Sequence, residues 1–106
     1  MLEQIISGEQ CVVRHGKYKE LAPQIECADG TTLSVQASET HYCAPRENQG
    51  PYLCVEVGFP SAEPLESWAK YFDGDWENSD RTDSVYGFVP IDLVREFVAM
   101  HGGEKD

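Results

Sequence analysis

The chain has 106 residues and a mass of 11.9 kDa, the size of one domain. Its 8 Lys and Arg against 19 Asp and Glu give a net charge of −11, which argues against a binder of exposed nucleic-acid backbone or of anionic membrane, since both require excess positive charge. A hydrophobic fraction of 41%, with four Phe, five Tyr and two Trp, suffices for a small core and argues against global disorder.

The start, Met1-Leu2-Glu3-Gln4, lacks the basic stretch and apolar core of an export signal, and no apolar run reaches the roughly 18 residues of a membrane span. A cytoplasmic, reducing setting is therefore expected. There Cys11, Cys27, Cys43 and Cys54 would be thiols rather than two disulfides.

The first sixty residues read as β-structure. Glu9 to Arg14 is a β-branched run closed by His15-Gly16-Lys17, a hairpin tip. After Pro23, Gln24 to Cys27 and Thr31 to Ala37 flank Ala28-Asp29-Gly30, where Asp-Gly favours the positive φ of hairpin turns. Thr31, Leu33, Val35 and Ala37 alternate with Thr32, Ser34 and Gln36, as in a half-buried strand. Residues 38–51, with two prolines and no periodicity, form a long loop, and loops of that length in compact domains are more often functional than not. Tyr52 to Phe59 alternates again, setting Leu53, Val55, Val57 and Phe59 on one face and Tyr52, Cys54 and Glu56 on the other.

The remainder is mostly helical. Pro64 to Phe72 carries Leu65, Trp68, Ala69 and Phe72 at helical spacing, with Asp73-Gly74 as the stop. Val85 to Val89 is a short strand. Pro90 to His101 is a second helix, with Leu93, Val94, Phe97, Val98 and His101 on one stripe and Gly102-Gly103 to end it. The expected fold is α+β: a mainly antiparallel sheet of about five strands with two short helices, the second at the C-terminus.

Charge is uneven: residues 1–60 carry net −4 and residues 61–106 net −7. Asp73, Asp75, Glu77, Asp80 and Asp83 face only Arg81 in their segment. Such a run can simply be a solvated loop. In extended chain, Asp73, Asp75 and Glu77 would also fall on one side at about 6–7 Å intervals, close to the repeat of nucleic-acid phosphates, so a basic groove could accept them. A calcium loop fits less well, because Asn78 stands where the turn glycine belongs and Ser84 where the bidentate Glu belongs.

His41-Tyr42-Cys43-Ala44-Pro45-Arg46 is the most chemically loaded stretch. A His41–Cys43 nucleophile lacks an identifiable orienting acid or oxyanion donor. Zinc from Cys11, His15, His41 and Cys43 lacks the paired short spacings of structural sites. Tyr42 and Arg46 are instead the residue types enriched at interface hot spots. Phosphate loops, nucleophile elbows, HExxH and dinucleotide-binding fingerprints are missing from the sequence.

The blocks Ser34-Val35-Gln36-Ala37-Ser38, Tyr42-Cys43-Ala44-Pro45-Arg46, Gly50-Pro51-Tyr52, Val55 to Ser61 and Val85 to Pro90 resemble those of small uncharacterised proteins from prophages and mobile elements of gut Firmicutes and Actinobacteria. The resemblance covers roughly residues 24–103 and implies no reaction. It implies a setting in which small acidic proteins inhibit host defence, including CRISPR and restriction systems.

The expectation is thus a non-enzymatic, cofactor-free inhibitor of a basic, nucleic-acid-handling host protein. It would present Asp73, Asp75, Glu77, Asp80 and Asp83 to a basic groove, with the 41–46 loop adding shape-specific contact. The alternative is an accessory domain that binds a small ligand or protein through Tyr42, Arg46 and Gln36. A Cys/His-dependent enzyme centred on His41 and Cys43 is a third reading.

Overall fold

The computed structural model describes residues 1–8, 13–14, 18–19, 23–38, 41–47, 50–72 and 74–105. The fold is α+β. Its elements are α1 (Leu2–Ser7), β1 (Val13–Arg14), β2 (Tyr18–Lys19), β3 (Ile25–Glu26), β4 (Thr32–Gln36), β5 (Cys54–Gly58), a 3₁₀ helix (Glu66–Tyr71), β6 (Val85–Pro90) and α2 (Ile91–Met100). The central sheet has four strands in the order β3-β4-β5-β6, every pair antiparallel, rather than the five expected. β1 and β2 pair separately as a two-stranded ribbon, with Arg14 opposite Tyr18, and the expected tip His15-Gly16-Lys17 lies outside the described residues.

The 24–37 hairpin forms as its alternation predicts. Ile25 pairs with Leu33, and Gly30 takes a φ of 93° in the turn. Asp29 closes that turn by accepting the Thr31 N–H at 2.9 Å. Thr31, Leu33, Val35 and Ala37 are all buried. Val35 pairs with Val57 and Val55 with Val89, which carries the apolar face across to β6.

Buried side chains form one cluster. Ile25, Leu33, Val35, Val55, Val57, Tyr86 and Val89 of the sheet join Val94, Phe97 and Val98 of α2 and the fully buried Trp68. Trp68 packs edge-on to Tyr86, with ring centroids 5.4 Å apart, and lies 5.5 Å from Phe97. The C-terminal end of α2 turns through Gly102 and Gly103, both at positive φ. The chain then returns along the outer side of β3, where Cys27 bridges Glu104 and Lys105 donates to the Glu26 carbonyl at 2.8 Å.

Several expectations need correction. Residues 2–7 form a helix that the β-reading of the first sixty residues did not include. Leu2, Ile5 and Ile6 bury one side of it, and Tyr52 N–H holds its end by donating to the Ile6 carbonyl at 2.7 Å. Leu53 and Phe59 do not share the buried face of Val55 and Val57; they are 71% and 52% exposed. Each sits just outside the strand, Leu53 donating to the Ala44 carbonyl and Phe59 at a φ of 50°, so the two-residue alternation stops before it reaches them. Tyr52, placed on the polar face by that same alternation, is buried instead.

The Pro64–Phe72 helix is a shorter 3₁₀ segment. The helical turns cover only Glu66–Tyr71, and Leu65 and Phe72 are its two caps in extended conformation, so the four-residue stripe does not form. Trp68 is buried while Leu65 is exposed, and Phe72 leaves in extended conformation to bridge Tyr86. In α2, Leu93 and His101 are only half-buried, so Val94, Phe97 and Val98 carry the stripe.

Candidate functional site: an aromatic groove with an acidic flank

The 41–46 loop lies over the side of β5 opposite Val55 and Val57. Alternation along β5 turns Glu56 to that side, where its carboxylate accepts the Tyr42 N–H at 2.8 Å. Gln36 is the cross-strand partner of Glu56. Gln36 therefore shares the face of the loop, but it is buried and donates to Ser34 Oγ at 3.0 Å. In the free protein it therefore lies beneath the surface that Tyr42 forms.

The strand opposite Glu56 is bulged. Val55 pairs with Val89 and Val57 with Tyr86, so Gly87 and Phe88 together face Glu56. The bulge swings Phe88 into the left-handed region, φ 55°, and sends its N–H to the Tyr42 carbonyl at 2.9 Å. That bond sets the two rings side by side, centroids 5.9 Å apart. Both remain in solvent, Tyr42 at 53% and Phe88 at 46%.

Between this pair and the 3₁₀ helix runs a groove of about 480 Å³, lined by Tyr42, Lys70, Tyr71, Phe72, Val85, Gly87 and Phe88. Gly87 leaves it open, because a Cβ there would stand 3.2 Å from Tyr42 Cβ. Arg46 lies over the Tyr42 ring, its guanidinium carbon 5.2 Å from the centroid, and does not line the groove. The structure thus joins Tyr42 and Arg46 and adds Phe88, Lys70, Tyr71, Phe72 and Val85, none of which was singled out from the sequence as a contact residue.

The acidic segment begins and ends at this groove. Phe72 and Val85, at its two ends, are both lining residues. It is not extended: residues 76–78 and 81–82 are turns. The regular carboxylate row expected from extended chain is therefore not formed, and Asp73 lies outside the described residues. Asp75 accepts the Asn78 side chain at 2.7 Å and the Glu77 N–H at 3.2 Å. Asp80 accepts both the hydroxyl and the N–H of Thr82. Those bonds, the Asn78 amide first for Asp75 and the Thr82 hydroxyl first for Asp80, hold both carboxyls below the usual range and keep them ionised.

Arg81 is turned inward, stacking 4.2 Å from the Trp76 ring centroid and donating to the Trp76 carbonyl. Trp76 in turn packs on Phe72 and Tyr86. Tyr86 is fixed by donating to the Arg81 carbonyl, and burial pushes its phenol up to about 12. The turns are therefore fastened to the core, leaving Asp75, Glu77, Asp80 and Asp83 exposed.

His41 and Cys43 take other roles. His41 Nδ1 lies 2.6 Å from Ser38 Oγ. The Cys43 thiol is buried and donates to the carbonyls of Ser38, at 3.1 Å, and Pro45, at 3.4 Å. A thiol enclosed against carbonyl oxygens is not offered to a substrate. Cys11 and His15 lie outside the described residues, and among those described no group of three or more His, Cys, Asp or Glu is arranged to hold a metal ion.

No protein family, curated protein or solved structure matches this chain. Among the described residues, no helix is long and apolar enough to cross a membrane.

Proposed function

We propose that this chain is a non-enzymatic binding protein that engages a basic, nucleic-acid-handling host protein through the aromatic groove, with the acidic turns as its flank. The setting is the host-defence inhibition implied by the resemblance of its loop blocks. The observation that carries the reading is the exposed Tyr42–Phe88 pair, fixed through the backbone instead of through burial. Exposed aromatic clusters beside a concave surface mark interaction sites, and Tyr is among the residue types that dominate interface energies.

The test is capture from the native host's lysate by wild type and by the Tyr42→Ala/Phe88→Ala double variant. Wild type should retain a partner that has released its nucleic acid, and the double variant should not. Equal capture of that partner by both proteins would remove the groove from the reading.

The size of the groove favours one second reading. About 480 Å³ falls within the range of small-ligand sites, and Lys70, the one charged side chain lining it among the described residues, would then meet an anionic group.

A further inference from the structure

We infer that the occupant of the groove is a basic peptide segment of the partner, whose Arg or Lys side chains lie on the groove's aromatic faces. The inference rests on the protein-binding reading above and adds the chemistry of what is bound.

Its first support is what these rings already hold. Among the described residues, Arg46 lies over Tyr42, Lys70 over Tyr71 at 5.4 Å, and Arg81 over Trp76. Two of these rings line the groove, and the third is one ring contact behind Phe72. A ring face attracts a cation through its quadrupole, and this surface is furnished with such faces. Lys70, an exposed lining residue, occupies one of them as an internal stand-in for a partner's cation.

The second support is charge. The segment between Phe72 and Val85 adds Asp75, Glu77, Asp80 and Asp83, all exposed, and the chain carries −11 in total. A field of that sign draws a cationic segment toward the groove and repels an anionic one.

Lys70 separates the two possible charge types. Against a cationic segment it competes and repels, whereas for an anionic ligand it is the attachment point. The experiment is titration of wild type, Lys70→Met and Phe88→Ala with a short synthetic peptide of alternating Arg and Gly, followed by amide NMR shifts. Lys70→Met should bind the peptide about two- to five-fold more tightly than wild type, the range set by one exposed cation–ring contact. Phe88→Ala should weaken it by a similar factor, with shifts at residues 42–46 and 70–72 lost. Circular dichroism should show both variants folded, since both side chains are exposed. Weaker binding by Lys70→Met, or shifts that avoid the groove in wild type, would overturn the inference. If the peptide fails to bind while partner capture still depends on Tyr42 and Phe88, the basic segment is wrong and the groove stands. If capture ignores both residues, the underlying reading fails as well.

Discussion

At Phe88 the chain accepts a left-handed conformation between two core residues, Tyr86 and Val89. An aromatic residue at a φ of 55° carries strain on the order of 1–3 kcal/mol, yet the ring it positions is nearly half exposed. Phe88→Gly relieves that strain while adding the unfolded-state entropy of glycine, so the two effects nearly offset. Stability to urea should stay within about 1 kcal/mol of wild type while partner binding is lost. Phe97 is the opposite case. It is 2% exposed and packed on Trp68 and His101, so Phe97→Ala should cost about 3–5 kcal/mol, read as a lower denaturation midpoint with the groove's chemistry untouched.

Asp29 sets a pH dependence. The Thr31 N–H and hydroxyl, and then His101 at 2.7 Å, bring its carboxyl down to about 2. The unfolded chain binds that proton more readily, near the unperturbed value of about 3.9. The turn's contribution is therefore complete above that value and lost as pH falls toward 2. Urea unfolding across the acid range should show wild type losing stability more steeply than Asp29→Asn. Thiol reactivity should be graded as well. Burial, then Asp29 and Glu104, push the Cys27 thiol up, whereas Cys54 is only half-buried. Alkylation of the native protein followed by mass spectrometry should label Cys54 well before Cys27.

Among the elements, those with strong local patterning were legible from the chain. The 24–37 hairpin follows from alternation plus Asp-Gly, and α2 from its apolar stripe between Pro90 and Gly102. Elements fixed by tertiary contact were not. A six-residue helix is unstable alone, and α1 exists because Leu2, Ile5 and Ile6 reach the core, Tyr52 ties its end and Arg95 forks onto Glu3 at 2.7 and 3.0 Å. The spacing of Leu2, Ile5 and Ile6 was the available signal. Ile5→Ala should accordingly cost about 2–5 kcal/mol, whereas Glu3→Gln, removing an exposed ion pair, should cost no more than about 1 kcal/mol; thermal melts of the two variants compare them directly.

The site divides the same way. Tyr42 and Arg46 stood out by residue type in a long loop. Phe88 did not, because its exposure depends on a bulge that strand alternation cannot reveal. For Gln36 the alternation shows which face it occupies but not that it is buried there. The acidic segment kept its charge and lost its expected regular spacing, since Asp75 and Asp80 are good turn formers and fold the chain back on itself.

At the scale of the whole molecule, the net charge and the groove have separate kinetic roles. Exposed carboxylates act at a distance and are screened by salt, the Debye length falling from about 10 Å at 0.1 M to about 3 Å at 1 M. Neutralising Asp75, Glu77 and Asp80 with Asn, Gln and Asn should therefore mainly slow association, and raised salt should mimic it. Tyr42→Ala and Arg46→Ala remove packed contacts and should mainly speed dissociation. Surface-binding kinetics at two salt concentrations separate the two.

The most direct test of the groove as the partner-binding surface is an amide hydrogen-exchange footprint of the captured complex against the free protein. Protection should appear at residues 41–46, 70–72 and 85–88, with weaker protection across 75–83. Protection confined to α1, to α2 or to the 24–37 hairpin, with the groove exchanging as in the free protein, would contradict it.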